Sequence, residues 1–243
     1  MRAVSAPHEI LQRELRREAN PQTAAACRRF FKTGPGEYAH GDVFIGVKVP
    51  VIRKTIRPFR AMPAQGLRTL LASEVHEDRT AALILLTERY RKAAESRERA
   101  KLYGLYRACL DRVNHWDLVD LSAPWVPGSW WLETGDCSAM KKLALSDCLW
   151  HRRVAMVASL AFIRAGQGHQ ALTLAEMFFS DPHDLMHKAA GWMLREFGKR
   201  DLKSLEAFLE KHAGSMPRTM LRYAVERMDE HKRERYLKKK RES

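Results

Sequence analysis

Apolar positions recur at the three-to-four-residue spacing of helices almost from end to end of the chain. Segments 7–19, 21–33, 50–60, 64–73, 77–93, 96–113, 115–124, 138–147, 149–165, 168–179, 182–199, 201–212, 216–227 and 229–240 each predict a helix. Strand-type alternation is nearly absent. Its best example, DVFIGVKVPV from Asp42 to Val51, is broken by Gly46 and Pro50. It reads as an ordered loop feeding a helix that begins near Val49 or Pro50, with Pro in the first turn. GQGHQ, SDPHD and GKRD mark turns. PGSWWLETG reads as a short connection anchored by Trp130 and Trp131, with Trp125 plugging a helix end. Phe30, Phe31, Phe178, Phe179 and Phe197 have helical spacing and read as core.

Three segments resemble one another: DRTAALILLTERY from Asp78, HRRVAMVASLAFIRAG from His151 and HKAAGWMLREFGKRD from His187. Aligning Arg79, Arg153 and Lys188 gives separations of 74 and 35, and Trp116 falls 37 residues from both Arg79 and Arg153. A period of about 35 to 40 residues filled by helix pairs predicts an all-α, HEAT-like α-solenoid. A compact helical bundle is the competing fold. In a solenoid, equivalent positions line one concave face, so Trp116, Arg153 and the segment of Trp192 are expected in one basic groove. First-turn N–H groups of the inner helices are expected to face anions there. The 243 residues suit a single domain of this kind, with a basic end over about 229–243 that reads as a mostly solvated helix end.

Charge changes the picture. Lys and Arg number 43 against 29 Asp and Glu, a net charge of +14 that favours a polyanionic partner, nucleic acid ahead of an anionic membrane surface. No run of about 18 apolar residues occurs, so no membrane span is expected. MRAVSAPHEILQREL lacks the apolar core of a signal peptide, and a cytoplasmic, nucleoid-associated protein is expected. Cys27, Cys109, Cys137 and Cys148 form no C-x-x-C and read as reduced packing residues. The histidines show no metal-site spacing; His183 and His187 are four apart but lack the H-E-x-x-H pattern. No metal and no cofactor are expected.

Within NHWDLVD, Trp116 and Asp120 share one helix face. Asn114 is expected to cap this helix and Asp117 to close a capping box, a contribution of about 1 kcal/mol. Asp120 has no comparable structural use, since LSAPW follows it. Arg153 borders the apolar stripe of Val154, Val157, Ala158 and Ala161, and Arg152 lies about 100° around the helix, solvated or on a phosphate. Trp192 follows the small run Ala189, Ala190, Gly191, which permits close helix contact. On pattern alone, Trp116 and Trp192 fit a core role as well as a functional one.

GVKVPVIRKTIRPF, NHWDLVD, LWHRRVAMVA, HKAAGWMLREFGKRD and MPRTMLRYAVE, in this order between about Phe31 and Tyr223, resemble the AlkD-like DNA alkylation repair glycosylases. The resemblance implies a HEAT-like fold. It also implies hydrolysis of the N-glycosidic bond of cationic N3- and N7-alkylated purines in double-stranded DNA, with the lesion left in the stack. The family's lesion-facing set of two Trp, one Asp and one Arg matches Trp116, Asp120, Arg153 and Trp192 without departure. Expected contacts to the DNA backbone come from Lys48, Arg53, Lys54, Arg57, Arg152, Lys188 and Arg222, in a monomer. The alternative is a non-catalytic HEAT-like module binding nucleic acid or protein. A helical RNA-binding protein is a further one. A helix-hairpin-helix glycosylase ranks low because no Gly-rich hairpin of the G-x-G type precedes an Asp.

Overall fold

A computed structural model describes residues 5–239. It is all-α. The helices are α1 (Pro7–Arg17), α2 (Pro21–Phe30), α3 (Val49–Thr55), α4 (Ala64–Ala72), α5 (His76–Lys92), α6 (Ser96–Ala108), α7 (Trp116–Ser122), α8 (Pro127–Thr134), α9 (Ser138–Ala144), α10 (Leu149–Arg164), α11 (His169–Met177), α12 (Asp184–Gly198), α13 (Leu202–His212), α14 (Arg218–Ala224) and α15 (Glu230–Lys238). The stretch around Val43 is a loop, as its Gly and Pro predict, and makes one isolated bridge to Val75 before α3 begins at Val49. Among the described residues no helix is long and apolar enough to cross a membrane.

The chain forms two compact units, one ending at Ser122 and one beginning at Ala123. Each is organised around a helix too apolar to have a solvent face. In the first unit this is α5, where TAALILLT is buried throughout and α3, α4, α6 and α7 pack around it. In the second it is α10, buried from Arg153 to Ile163, with α8, α9, α11 and α12 against it. Stacked helical pairs of this kind are the HEAT-like arrangement.

PGSWWLETG forms α8 rather than a bare connection. Pro127 supplies the first turn, where a missing N–H costs nothing, and Gly135 ends the helix in the left-handed conformation. Trp131 is buried, and the Arg164 guanidinium lies 4.4 Å above the ring of Trp125. Phe178 and Phe197 are core, but Phe30 is 67% exposed. The basic C-terminal helix is docked rather than merely solvated. Tyr236 is fully buried, Arg235 and Lys239 pair with Glu210, and Lys232 pairs with Glu206. The last residues of that basic end, 240–243, and of the helix expected to reach 240, lie outside the described residues.

The internal repeat is sharper than the sequence suggests, and displaced by one residue. Arg79 is the fourth residue of α5, and its Nη1 donates to the carbonyls of Ser73 and Glu74 at 2.8 and 2.9 Å. Arg152 is the fourth residue of α10, and its Nη1 donates to Ser146 and Asp147 at 2.9 and 2.8 Å. Ser73 and Ser146 each accept from a backbone N–H two residues on, those of Val75 and Cys148. Each Arg also pairs with an Asp, Asp42 or Asp181. The equivalent of Arg79 is therefore Arg152, not Arg153. In both units this clamp satisfies the carbonyls left over between one helix and the next.

Gly191 lets α12 approach α14 closely, since a Cβ there would lie 2.5 Å from the Met220 carbonyl oxygen. A Cβ on Gly104, inside α6, would meet nothing within 4 Å. Gly191→Ala is expected to cost about 1–3 kcal/mol through overpacking, and Gly104→Ala to gain about 0.5–1 kcal/mol through helix propensity. Chemical unfolding of the two variants checks this, and shifts of the same sign contradict the close approach of α12 to α14.

Candidate functional site

The first turn of α5 reads His76-Glu77-Asp78-Arg79, and none of the four is more than 3% exposed. Every one of these charges has a partner. The Glu77 carboxylate accepts from the backbone N–H groups of Ile45, Gly46 and Val47. Asp78 accepts from Arg16, Gln12 and the Ser73 hydroxyl. Arg79 reaches Asp42 as well as the two carbonyls of its clamp. The loop at 42–47 is thus pinned to the start of α5, with His76 N–H donating to the Val43 carbonyl at 2.8 Å.

His76 carries this network to α7. Its Nδ1 lies 2.8 Å from Asp42 and its Nε2 2.8 Å from Asp117. Both neighbours are carboxylates, so both ring nitrogens donate and the ring is an imidazolium. Burial opposes that charge, but the bonds and charges of Asp117 and Asp42 outweigh it and raise the pKa to about 9. Asp117 also accepts from His115 Nδ1 at 2.6 Å and from the Leu118 N–H at 2.8 Å. Burial works against the Asp117 carboxylate too, yet the bonds from His115 and His76 hold it well below the usual carboxylate range. Asp42 is lowered in the same way, by His76 and Arg79 against its own burial.

The capping box expected at Asn114 and Asp117 does not form. The Asn114 side-chain oxygen is buried without a hydrogen-bond partner, and Asp117 is spent on the two histidines. The histidines also come closer to a metal-type cluster than their spacing in the chain suggests. Donor atoms of His76, His115 and Asp117 lie within 4.8 Å of one another. Two donors on one tetrahedral ion at about 2.0–2.1 Å would be about 3.3 Å apart. The separations of 2.8 and 2.6 Å are hydrogen-bond distances, and the His76 and Arg79 charges already balance Asp42 and Asp117. The cluster fits a protonated network rather than an ion site.

α7 is anchored by this network and by Leu118 and Val119, both fully buried. It presents Trp116 and Asp120, one turn apart and each half-buried. Trp116 meets an aromatic cluster, with ring centroids 5.4 Å from Phe31, 5.6 Å from His115 and 6.1 Å from Phe30. In the second unit Arg153 is buried on α10, and its Nη1 donates to the Leu185 carbonyl at 2.6 Å. That bond ties Arg153 to α12, which carries the half-buried Trp192.

The basic residues divide into two kinds. Lys48, Arg53, Lys54 and Arg57 are exposed on α3 and its flanks, with no ion-pair partner among the described residues. Arg222 is exposed on α14, and among the described residues its side chain makes a long contact to the Thr219 hydroxyl. Lys188 pairs with Asp184 at 2.9 Å. Arg152 commits Nε and Nη2 to Asp181 and Nη1 to its two carbonyls. The His76–Asp117 network is not apparent from residue spacing. Its one signal in the sequence is HEDR standing directly before an all-round apolar helix, where a charged first turn must be buried and therefore paired.

The raised pKa of His76 fixes a pH dependence. Its stabilising charge is fully present below the ordinary histidine value of 6.5 and lost as the pH climbs through about 9. The lowered carboxyls of Asp42 and Asp117 act oppositely, stabilising above their ordinary value of 3.8 and losing that effect as the pH falls. Urea unfolding from pH 6.5 to about 9 is expected to show falling stability in the wild type and a flatter profile in His76→Gln, which starts lower. Parallel profiles for the two proteins contradict the assignment.

Comparison with known proteins agrees with this architecture. The family described as "DNA alkylation repair enzyme" matches residues 11–228. A solved structure described as "Predicted DNA alkylation repair enzyme from Enterococcus faecalis" has a TM-score of 0.68 at 17% identity, covering 88% of this chain and 98% of that one. Comparison with curated proteins gives no match. The family match spans nearly all the described residues and the fold agrees with it, so the chain belongs to the DNA alkylation repair enzyme family, with the HEAT-like fold of its AlkD-like members.

Proposed function

We propose that the protein is a monofunctional DNA glycosylase that hydrolyses the N-glycosidic bond of cationic N3- and N7-alkylated purines in double-stranded DNA, leaving the lesion in the stack. The observation that carries this reading is α7: an indole and a carboxylate one turn apart, each half-buried, on a helix anchored by Asp117. Family membership supports it.

The chemistry asks little of the protein. An alkylated purine carries a positive charge, and when the C1′–N bond breaks its electron pair neutralises the departing base. No strong general acid is needed. Positive charge grows on the deoxyribose, and a water must reach C1′. Asp120 supplies negative charge for the first need and an acceptor to orient the water for the second. The new C1′–O bond comes from that water, whose proton passes to the carboxylate or to solvent. Trp116 offers an aromatic face to the cationic sugar. In this reading Arg153, held against α12 by the Leu185 carbonyl, is the cationic member of the set, and Trp192 is its second aromatic member. Lys48, Arg53, Lys54 and Arg57 are the first candidates for sequence-independent backbone contacts, with Lys188 and Arg222 further ones.

Incubation of the purified protein with methylated duplex, without added metal or nucleotide, is expected to release free alkylpurines. Borohydride is expected to trap no covalent species, because attack by water needs no Schiff base. Tight duplex binding without base release would favour the non-catalytic binding module. Trp116→Ala and Trp192→Ala are expected to lose excision while keeping most of their folded fraction; loss of activity only in step with lost folded protein contradicts their role.

Nonspecific duplex binding is expected to weaken with salt, and each phosphate interaction removed by Ala at Lys48, Arg53, Lys54 or Arg57 lowers the log–log slope by about 0.9. Arg152→Ala is expected to act mainly on stability, since its donors are spent inside the protein. A wild-type slope near zero contradicts the electrostatic interface.

A further inference from the structure

Within the first unit, an open cavity of about 830 Å³ lies between α4, the end of α5 and α6. Arg89 on its wall follows His76 by 13 residues of α5, a rise of about 20 Å, so the cavity is well apart from the network that anchors α7. Its floor is apolar, with Leu102 and Leu105 both buried. Its rim is basic. Arg68, Arg97 and Lys101 are exposed there, and none has an ion-pair partner among the described residues. Arg89 is already committed, its Nε donating to Glu98 and its Nη1 to the Met62 carbonyl, both at 3.2 Å. Glu98 is therefore taken up, and at this cavity Glu95 alone is left to offset three cations.

The wall formed by α6 carries features that weaken the helix. Arg97 stands in the first turn, at the positive end of the helix dipole. Lys101 follows four residues later, which makes a like-charged pair on one face. Gly104 continues the same stripe one turn on, in the helix interior, where glycine is a poor helix former. Crowding does not require it, because a Cβ there would meet nothing within 4 Å. Its φ is not in the left-handed region either. What the missing side chain does is keep the cavity open. These costs coincide on the stripe of α6 that lines the cavity, and departures from local preference of this kind are expected where a surface is kept for binding.

We infer that this cavity binds a small organic phosphate of mononucleotide size. Arg97 and Lys101 of α6, with Arg68 of α4, hold the phosphate, and the body of the ligand lies over Leu102 and Leu105 in the space that Gly104 leaves. Guanidinium forks match phosphate oxygens in pairs. The volume is within the range of small-molecule sites and more than an inorganic phosphate fills. A duplex is the less fitting occupant, since phosphates on a convex rod meet the rim but not the apolar floor. The inference goes beyond the glycosylase reading and does not depend on it.

Isothermal titration calorimetry of the full chain with adenosine monophosphate, adenosine and inorganic phosphate tests this. The proteins are wild type, Gly104→Leu and Arg97→Ala/Lys101→Ala, each with its thermal midpoint. Adenosine monophosphate is expected to bind at one site per chain, and adenosine and inorganic phosphate about tenfold more weakly or less, because each makes only part of the contacts. Gly104→Leu places a side chain in the cavity and is expected to abolish binding at a wild-type or higher midpoint. The double variant is expected to weaken binding about tenfold through the lost charge-assisted bonds. Saturating unmodified duplex is expected to leave the titration unchanged. No saturable binding up to about 1 mM nucleotide, equal affinity for inorganic phosphate, or wild-type affinity in either folded variant overturns the inference. Displacement of the nucleotide by duplex overturns it too, and makes the cavity part of a nucleic-acid surface.

Discussion

The hydrogen bond between the His76 imidazolium and the Asp117 carboxylate joins the most buried helix of the first unit to the short helix that presents Trp116 and Asp120. A seven-residue helix has no stability of its own in water, so α7 exists because something holds it. Leu118 and Val119 supply burial, and Asp117 supplies orientation. A buried ion pair adds little net stability over apolar residues of the same size, but loss of one partner strands a charge and costs about 3–5 kcal/mol. The arrangement therefore specifies a geometry more than it stabilises one. Its consequence for the candidate site is direct: Asp117 of WDLVD is committed to His76 and His115, on the same short helix that carries the half-buried Trp116 and Asp120.

The same logic recurs at the entry to each central helix. A serine accepts from the chain two residues on, and an arginine at the fourth helical position folds back onto the carbonyls before the helix. In the first unit the connecting turn continues into the network around His76 and Asp42. In the second it continues into the Asp181 pair, while Arg153, one residue later, turns to the Leu185 carbonyl on α12. Adjacent arginines of one dipeptide thus serve different ends. Arg152 closes the turn between helices and Arg153 joins the helix that bears Trp192.

Much of the fold is legible from pattern. Helix periodicity locates nearly every element, and the Gly and Pro of DVFIGVKVPV correctly argue against a strand. α8 is hidden because PGSWWLETG combines turn residues with two adjacent indoles, and a helix of eight residues is too short to show a period. Phe30 reads as core in the sequence because helical spacing says which residues share a face, and not whether that face is covered. The role of Asp117 cannot be read locally. Its partners are His76, 41 residues earlier, and His115, two residues away, and a capping box explains the same letters more simply. The one-residue slip in the repeat has a similar origin, since an Arg-Arg dipeptide aligns equally well either way until the carbonyls it meets are known.

The division of labour between Asp117 and Asp120 is tested most directly by Asp117→Asn and Asp120→Asn measured side by side, for thermal midpoint and for single-turnover release of alkylpurine at saturating protein. Asp120→Asn is expected to keep its midpoint and its duplex affinity but to lose roughly 100-fold or more in rate, because its charge acts where the sugar becomes positive. Asp117→Asn is expected to lower the midpoint by roughly 10 °C through the stranded His76 charge. An Asp120→Asn variant that releases base at the wild-type rate, or two variants whose activity falls only in proportion to their folded fraction, would contradict this division.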